Sequence, residues 1–296
     1  MTTKTEHRTG TAPGPLSQAY GHCLALVREH DPDRYIASLY APEALRPGLF
    51  ALYAFSHEVA RVREQVSEPL PGEVRLQWWR DVLEAGPDAP APGHPVAQAL
   101  LDTVRRFRLP IAPLSGLIEA RVFDLYDDPM PSLSDLEGYV GETSSALIRL
   151  ACLVLAQGRD PGGATAAGHA GVAYALSGLM RAFPWHAARG QVYLPADLLA
   201  RNGVTREDIV RGRGGPGLIY SLKEMRALAR IHLRKLNDLS ATVPASIRPA
   251  FLAVALVEPY LRQMERGGYD PYRTIICLSP LRRQWTLWRA ARTSGR

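Results

Sequence analysis

The sequence predicts an all-α fold in a single domain, and three observations carry that prediction. Apolar residues recur at helical spacing along most of the chain. Leu52, Phe55, Val59 and Val62 step by three and four, and Leu76, Trp79, Val82 and Leu83 stripe a second helix in the same way. No alternating apolar–polar pattern longer than a few residues marks a strand. No short repeat and no sharp shift in composition divides the chain.

Taken in order, residues 1–15 are polar and rich in Thr, Pro and Gly, the composition of a disordered tail, and the domain is expected over 16–296. Helices carrying the two stripes above come next. Gly86 to Pro95 reads as a loop, and Leu109-Pro110 and Asp128-Pro129-Met130-Pro131 punctuate further helices. Ser132 and Ser134 are candidate caps for a helix running to about Gly158. A helix from about Gly162 to Phe183 is small-residue-rich on several faces, which suits close packing inside a bundle. Arg211 to Gly217 reads as a loop. Leu218 to Ser240, Pro244 to Gly267 and Arg273 to Arg292 read as three more helices.

The 296 residues are 46% hydrophobic, enough to bury a large core. Lys and Arg number 35 against 29 Asp and Glu, a net charge of +6. That balance suits an acidic surface, an anionic lipid headgroup or a diphosphate. It is too mild for a nucleic-acid partner, and no nucleic-acid motif accompanies it. Cys23, Cys152 and Cys277 are far apart without metal-type spacing. Cys152 and Cys277 sit in apolar runs and are expected to be buried thiols in a reducing compartment. The N-terminal residues show no apolar secretory segment, and Glu6 interrupts a weakly basic stretch that is short for a mitochondrial transit peptide. No uninterrupted apolar run reaches the roughly 18 residues of a membrane span. These features set the expectation of a cytoplasmic protein, with the inner-membrane surface as a possible site of work.

Two segments carry the chemistry question. The first is Ala51-Leu52-Tyr53-Ala54-Phe55 followed by Ala60, Arg61 and Glu64, with Arg75-Leu76-Gln77-Trp78-Trp79-Arg80 further on. The second runs from Leu176 through Arg181, Ala182, His186, Arg189 and Gly190 to Tyr193-Leu194-Pro195. Together they resemble the squalene/phytoene synthase family, along most of the chain from about Tyr35 to the C-terminal helix. In that family Leu-Tyr-Ala-Phe and Leu-x-Trp-Trp precede Gln-Leu-x-Asn-x-x-Arg-Asp-x-x-x-Asp-x-x-Arg-Gly-x-x-Tyr-Leu-Pro. Tyr139 aligns with a family tyrosine, although Thr143-Ser144-Ser145 then departs from the family's Val-Ala-Gly.

The resemblance implies an isoprenoid-synthase-type bundle of about ten or more helices around a central cavity. In such a bundle, aspartates on two facing helices hold Mg²⁺ and a prenyl diphosphate. Carboxylates at i and i+4 share one helix face and can share a metal, and the metal stabilises the departing diphosphate. Here the positions of those carboxylates hold Ala60, Arg61 and Glu64 in the first segment. In the second they hold Ala182 and His186, and Gly178 stands at the family's Asn. One carboxylate cannot hold a cluster of hard cations, and Arg61 would repel them.

The resemblance therefore points to a divergent branch that lacks the Asp-rich motifs and is similar to assembly factors of respiratory complex I. The expectation is a binding or assembly protein without catalytic residues, cofactor or bound metal, with a protein client or an isoprenoid or lipid ligand. The competing expectations are a Mg²⁺-dependent prenyl-diphosphate transferase and a non-catalytic isoprenoid carrier. Arg181, Arg189 and His186, with Tyr193, Arg61 and Glu64, are the candidate anion- or ligand-binding residues; a plain charged helix surface is the alternative. Asp124, Asp127 and Asp128 are read as a solvated helix end or as a displaced metal site. The segment from Leu281 to Arg292 mixes Arg with Trp285 and Trp288, and is read as a packed terminal helix or as a membrane-surface contact. Ser144 and Ser145 have no companion base and are read as packing residues.

Overall fold

A computed structural model of the chain describes residues 14–89, 93–126 and 128–293. The predicted tail falls almost wholly outside them, as does Asp127. The described residues form helices and turns, with no strand among them.

The first layer is α1 (Pro15–His30), α2 (Pro32–Ser38) and α3 (Arg46–Ala60), followed by α4 (Pro69–Ala85), α5 (Pro95–Phe107) and α6 (Ala112–Val122). Helix α3 is buried on almost every side from Gly48 to Ser56, as its run of apolar and small residues requires. The α4 stripe of Leu76, Trp79, Val82 and Leu83 faces the core. Trp79 meets Phe55 edge to face at 5.2 Å, which joins the two striped helices.

Helices α7 (Leu133–Val140) and α8 (Ala146–Leu155) are continuous through a π-helical turn at Gly141–Ser145. Ser132 caps α7 by accepting from the Asp135 amide at 3.2 Å, as its sequence position suggests. The combined Leu133–Leu155 helix is long and apolar enough to cross a membrane by composition, yet 61% of its most apolar window is buried inside the bundle, so it serves as a core helix. Nothing in the local sequence pattern marks the π-turn. Its reason is contact with α9 (Ala164–Arg181): a Cβ on Gly171 would lie 2.3 Å from the Ser145 Cα, and Ser145 Oγ donates to the Gly168 carbonyl at 2.9 Å. Ser145 is thus a packing residue.

Helix α9 runs antiparallel to α13 (Gly215–Asp238). His169 near the start of α9 meets His232 near the end of α13, at 3.1 Å between Nδ1 atoms. At the other end, Phe183 packs on Tyr272, whose hydroxyl accepts from the Gly214 amide. Three short helices lie between α9 and α13: α10 (Phe183–Ala188), α11 (Ala196–Arg201) and α12 (Arg206–Val210).

Two expected helices differ from the sequence reading. Residues Ala245–Leu256 are 3₁₀ rather than α, with Pro249 inside the segment, and only α14 (Val257–Gln263) is regular. Helix α15 starts at Pro280, not near Arg273, because proline favours the first turn and disfavours helix before it. Cys277 lies in the irregular stretch ahead of it and is exposed, against the expectation of a buried thiol, whereas Cys23 and Cys152 are buried.

Candidate functional site

The two signature segments meet. The first ends α3 at Ala60 and continues as a 3₁₀ turn over Arg61–Gln65. The second is not one helix: α9 stops at Arg181, Ala182 is a turn residue, and α10 restarts with Pro184 in its first turn. A proline there cannot donate back to the preceding turn. Positions 182 and 186, which on a continuous helix would share a face, therefore sit on two different helices.

Across the gap Arg189 Nη1 donates to Glu64 Oε1 at 2.7 Å, with both side chains about half exposed. The one remaining carboxylate of the metal-type set is therefore joined to a guanidinium of the opposite segment. Arg61 pairs with Glu58 on its own helical turn at 3.6 Å.

His186 packs on the Tyr193 ring at 4.7 Å. Burial, only partly offset by Asp124, pushes its pKa down to about 4, so at neutral pH it is an uncharged imidazole. It does not add a charge to a basic strip, as the sequence reading expected. Tyr193 in turn donates to Asp124 Oδ1 at 2.8 Å. The same carboxylate accepts from Tyr139 at 2.8 Å and from Arg121 at 2.9 Å, while Gln191 donates to the Asp124 carbonyl at 3.0 Å. Burial raises the pKa of both tyrosines, so they remain donors.

Asp124 is 4% exposed. It is not a solvated helix end: its carboxylate accepts three hydrogen bonds from Tyr139, Tyr193 and Arg121. Asp128 is exposed and takes no part in this network. The recess bounded by Phe123, Asp124 and Tyr193 has room for about 10 Å³, one water molecule.

Arg181 belongs to a second buried network that the sequence did not announce. It bonds Asp33 at 3.3 Å and lies over the Tyr260 ring at 3.8 Å. Tyr260 donates to Asp33 at 2.7 Å and Arg283 reaches the same carboxylate at 2.6 Å. Asp33, itself 3% exposed, so ties α2, α9, α14 and α15 together. Next to it, Arg34 is held by Asp31 at 3.2 Å and stacks on Tyr53 and Tyr174. The six candidate residues thus split into four places: Glu64 with Arg189, His186 with Tyr193, Arg181 apart with Asp33, and Arg61 with Glu58 on its own turn. No sequence spacing pointed to Asp33, because its tyrosine partner is 227 residues away.

The family resemblance implies a magnesium-held diphosphate between these two segments. Hard cations need several oxygen ligands. Ala60 and Ala182 offer none, Arg61 is cationic, His186 is turned onto Tyr193, and Glu64 is ion-paired. Among the described residues no group of three or more His, Cys, Asp or Glu side chains could hold a metal ion. The residues present do not fit the group. What they can do is join the two segments by ion pairs and hydrogen bonds.

A roomy groove lies elsewhere, at the far end of α13 from the signature segments. It has about 1200 Å³ and is lined by Leu233, Leu236, Phe251 and Leu252, with Arg234 and Arg248 among them.

This is an all-α bundle with two facing signature segments, the architecture of the prenyl-joining synthases. The squalene/phytoene synthase model matches residues 27–289, and the chain belongs to that family. It is 34% identical over 260 residues to "NADH dehydrogenase (ubiquinone) complex I, assembly factor 6" of Rattus norvegicus, a match covering 88% of this chain and 78% of that one. The human protein of the same name is 32% identical with the same coverage. "15-cis-phytoene synthase" of Synechococcus elongatus is 25% identical over 90% of each chain. Among solved structures, squalene synthase HpnC from Alicyclobacillus acidocaldarius superimposes with a TM-score of 0.75 at 24% identity, over 88% of this chain and 98% of that one. A dehydrosqualene synthase gives 0.78 at 18% identity, over 95% and 99%. The chain is a divergent member of a family that includes prenyltransferases.

Proposed function

We propose that this chain is a non-catalytic member of its family that acts as an assembly factor, with an NADH–quinone complex of the respiratory chain as client. The observation that carries the reading is the Glu64–Arg189 pair, which joins the two segments where a metal-dependent enzyme needs free carboxylates. The relatives named as complex I assembly factors, matched over most of both chains, support the choice of client. Its place of work is the cytoplasm, at the inner face of the membrane that carries such a complex.

The experiment is deletion of the gene, followed by native-gel analysis of the NADH–quinone complex and extraction of isoprenoid lipids. Loss of assembled complex with unchanged isoprenoids is the expected result. An intact complex with a missing isoprenoid product would overturn the proposal and restore the enzyme reading.

A further inference from the structure

Helix α15 (Pro280–Thr293) is fixed to the bundle along one side only. Leu287 is its one fully enclosed side chain, and Arg283 is anchored on Asp33 at 2.6 Å. The opposite side carries Leu281, Trp285, Trp288 and Arg292, at i, i+4, i+7 and i+11, which share a helix face. Leu281 is 79% exposed, Trp285 61% and Trp288 40%. The two indoles stack on each other at 4.9 Å, and the Arg292 guanidinium lies over Trp288 at 4.8 Å. Ile275, just before the helix, is 64% exposed.

Charge along this last segment has one sign. After Asp270 the chain contains no Asp or Glu, and it carries Arg273, Arg282, Arg283, Arg289, Arg292 and Arg296. Within that set Arg283 is neutralised by Asp33, whereas Arg282 and Arg289 flank the Trp–Leu face.

We propose that α15 is a membrane-surface helix that lays Leu281, Trp285 and Trp288 into the headgroup region of an anionic bilayer, with Arg282, Arg289 and Arg292 on the lipid phosphates. Indoles favour the interface because their rings are apolar and their N–H groups bond to water and headgroups. Arginines beside them extend along the apolar surface and keep their charge among phosphates. The helix lies on the bilayer and does not cross it, since 14 residues are too short to span. An acidic protein surface would satisfy the arginines but would not by itself call for stacked, half-exposed indoles at the outer edge.

The test uses the full-length protein and vesicle flotation, with phosphatidylcholine vesicles containing phosphatidylglycerol against pure phosphatidylcholine. Binding to the anionic vesicles, weakened by added salt and accompanied by a blue shift of tryptophan emission, is expected. The triple variant R282Q/R289Q/R292Q should bind about a hundred-fold more weakly, at roughly fivefold per arginine. W285A/W288A should lose the blue shift. Both sets lie on the exposed side, so their thermal unfolding should match the parent, which separates lost binding from lost folding. No flotation on anionic vesicles, or equal binding of the parent and the triple variant, would overturn the proposal; the first result would leave the face to a protein.

Discussion

Arg189 and Glu64 face each other across the two signature segments at 2.7 Å, and their pairing joins the segments directly. A carboxylate already engaged by a guanidinium is a poor start for a cation site, and the neighbouring positions add no oxygen ligand. Both side chains are about half exposed. Exposed pairs contribute little to stability, so Arg189→Gln should change the unfolding free energy by less than about 1 kcal/mol. Urea denaturation checks this; a larger loss would mean that the pair is a structural clamp.

Asp33 should behave in the opposite way. Its carboxylate is buried between Arg181, Arg283 and the Tyr260 hydroxyl. Removing it leaves two guanidinium groups without their counter-charge, a change that costs about 3–5 kcal/mol in buried networks. Asp33→Ala should therefore unfold far earlier in urea, and α15 should lose hydrogen-exchange protection with it. An unchanged midpoint would show that solvent compensates the arginines.

The legibility of the chain divides along the same line as these two sites. The all-α class, the core stripes on α3 and α4, and the capped helix from Leu133 were readable because they rest on local periodicity and local capping. That Ala60, Arg61, Ala182 and His186 are not carboxylates is legible because it is a matter of residue type at fixed spacing. The Asp33 and Asp124 networks were not readable. Their partners come from distant parts of the chain, and a buried carboxylate looks the same in sequence as a solvated one. The end of α9 is legible in the sequence, where Pro184 sets the helix boundary near Phe183; the short helix α10 that restarts at Phe183 is not. His186 was grouped with Arg181 and Arg189 by proximity in sequence; the turn at Ala182 separates them.

His186 gives a pH prediction. Its pKa in the folded protein is about 4, against an ordinary 6.5, so the fold favours the neutral imidazole. Between those values the unfolded chain takes up a proton that the folded chain does not. Stability should then fall as pH drops from about 6.5 toward 4 and level off below, with a contribution of about 3 kcal/mol at its full extent. The comparison is urea unfolding of the parent and His186→Gln at neutral and mildly acidic pH. The variant should lose less stability on acidification; equal slopes would assign the acid sensitivity to other groups.

Two glycines of α9 should respond in opposite senses. A Cβ at Gly171 would meet the Ser145 backbone at 2.3 Å, whereas one at Gly178 meets nothing within 4 Å. Gly171→Ala should destabilise by about 1–3 kcal/mol through overpacking against the π-turn. Gly178→Ala, in a helix interior, should stabilise by about 0.5–1 kcal/mol. Paired thermal melts test both, and destabilisation at Gly178 would show that the open position is needed for something that packs there.

The most direct measurement of the central claim is calorimetric titration of the purified protein with farnesyl diphosphate, with and without Mg²⁺, coupled to an assay for released diphosphate. Because Ala60, Arg61, Ala182 and His186 supply no ligand set and Glu64 is held by Arg189, magnesium should neither strengthen binding nor trigger release. Magnesium-dependent binding followed by diphosphate release would contradict the account and place the chain among the working synthases.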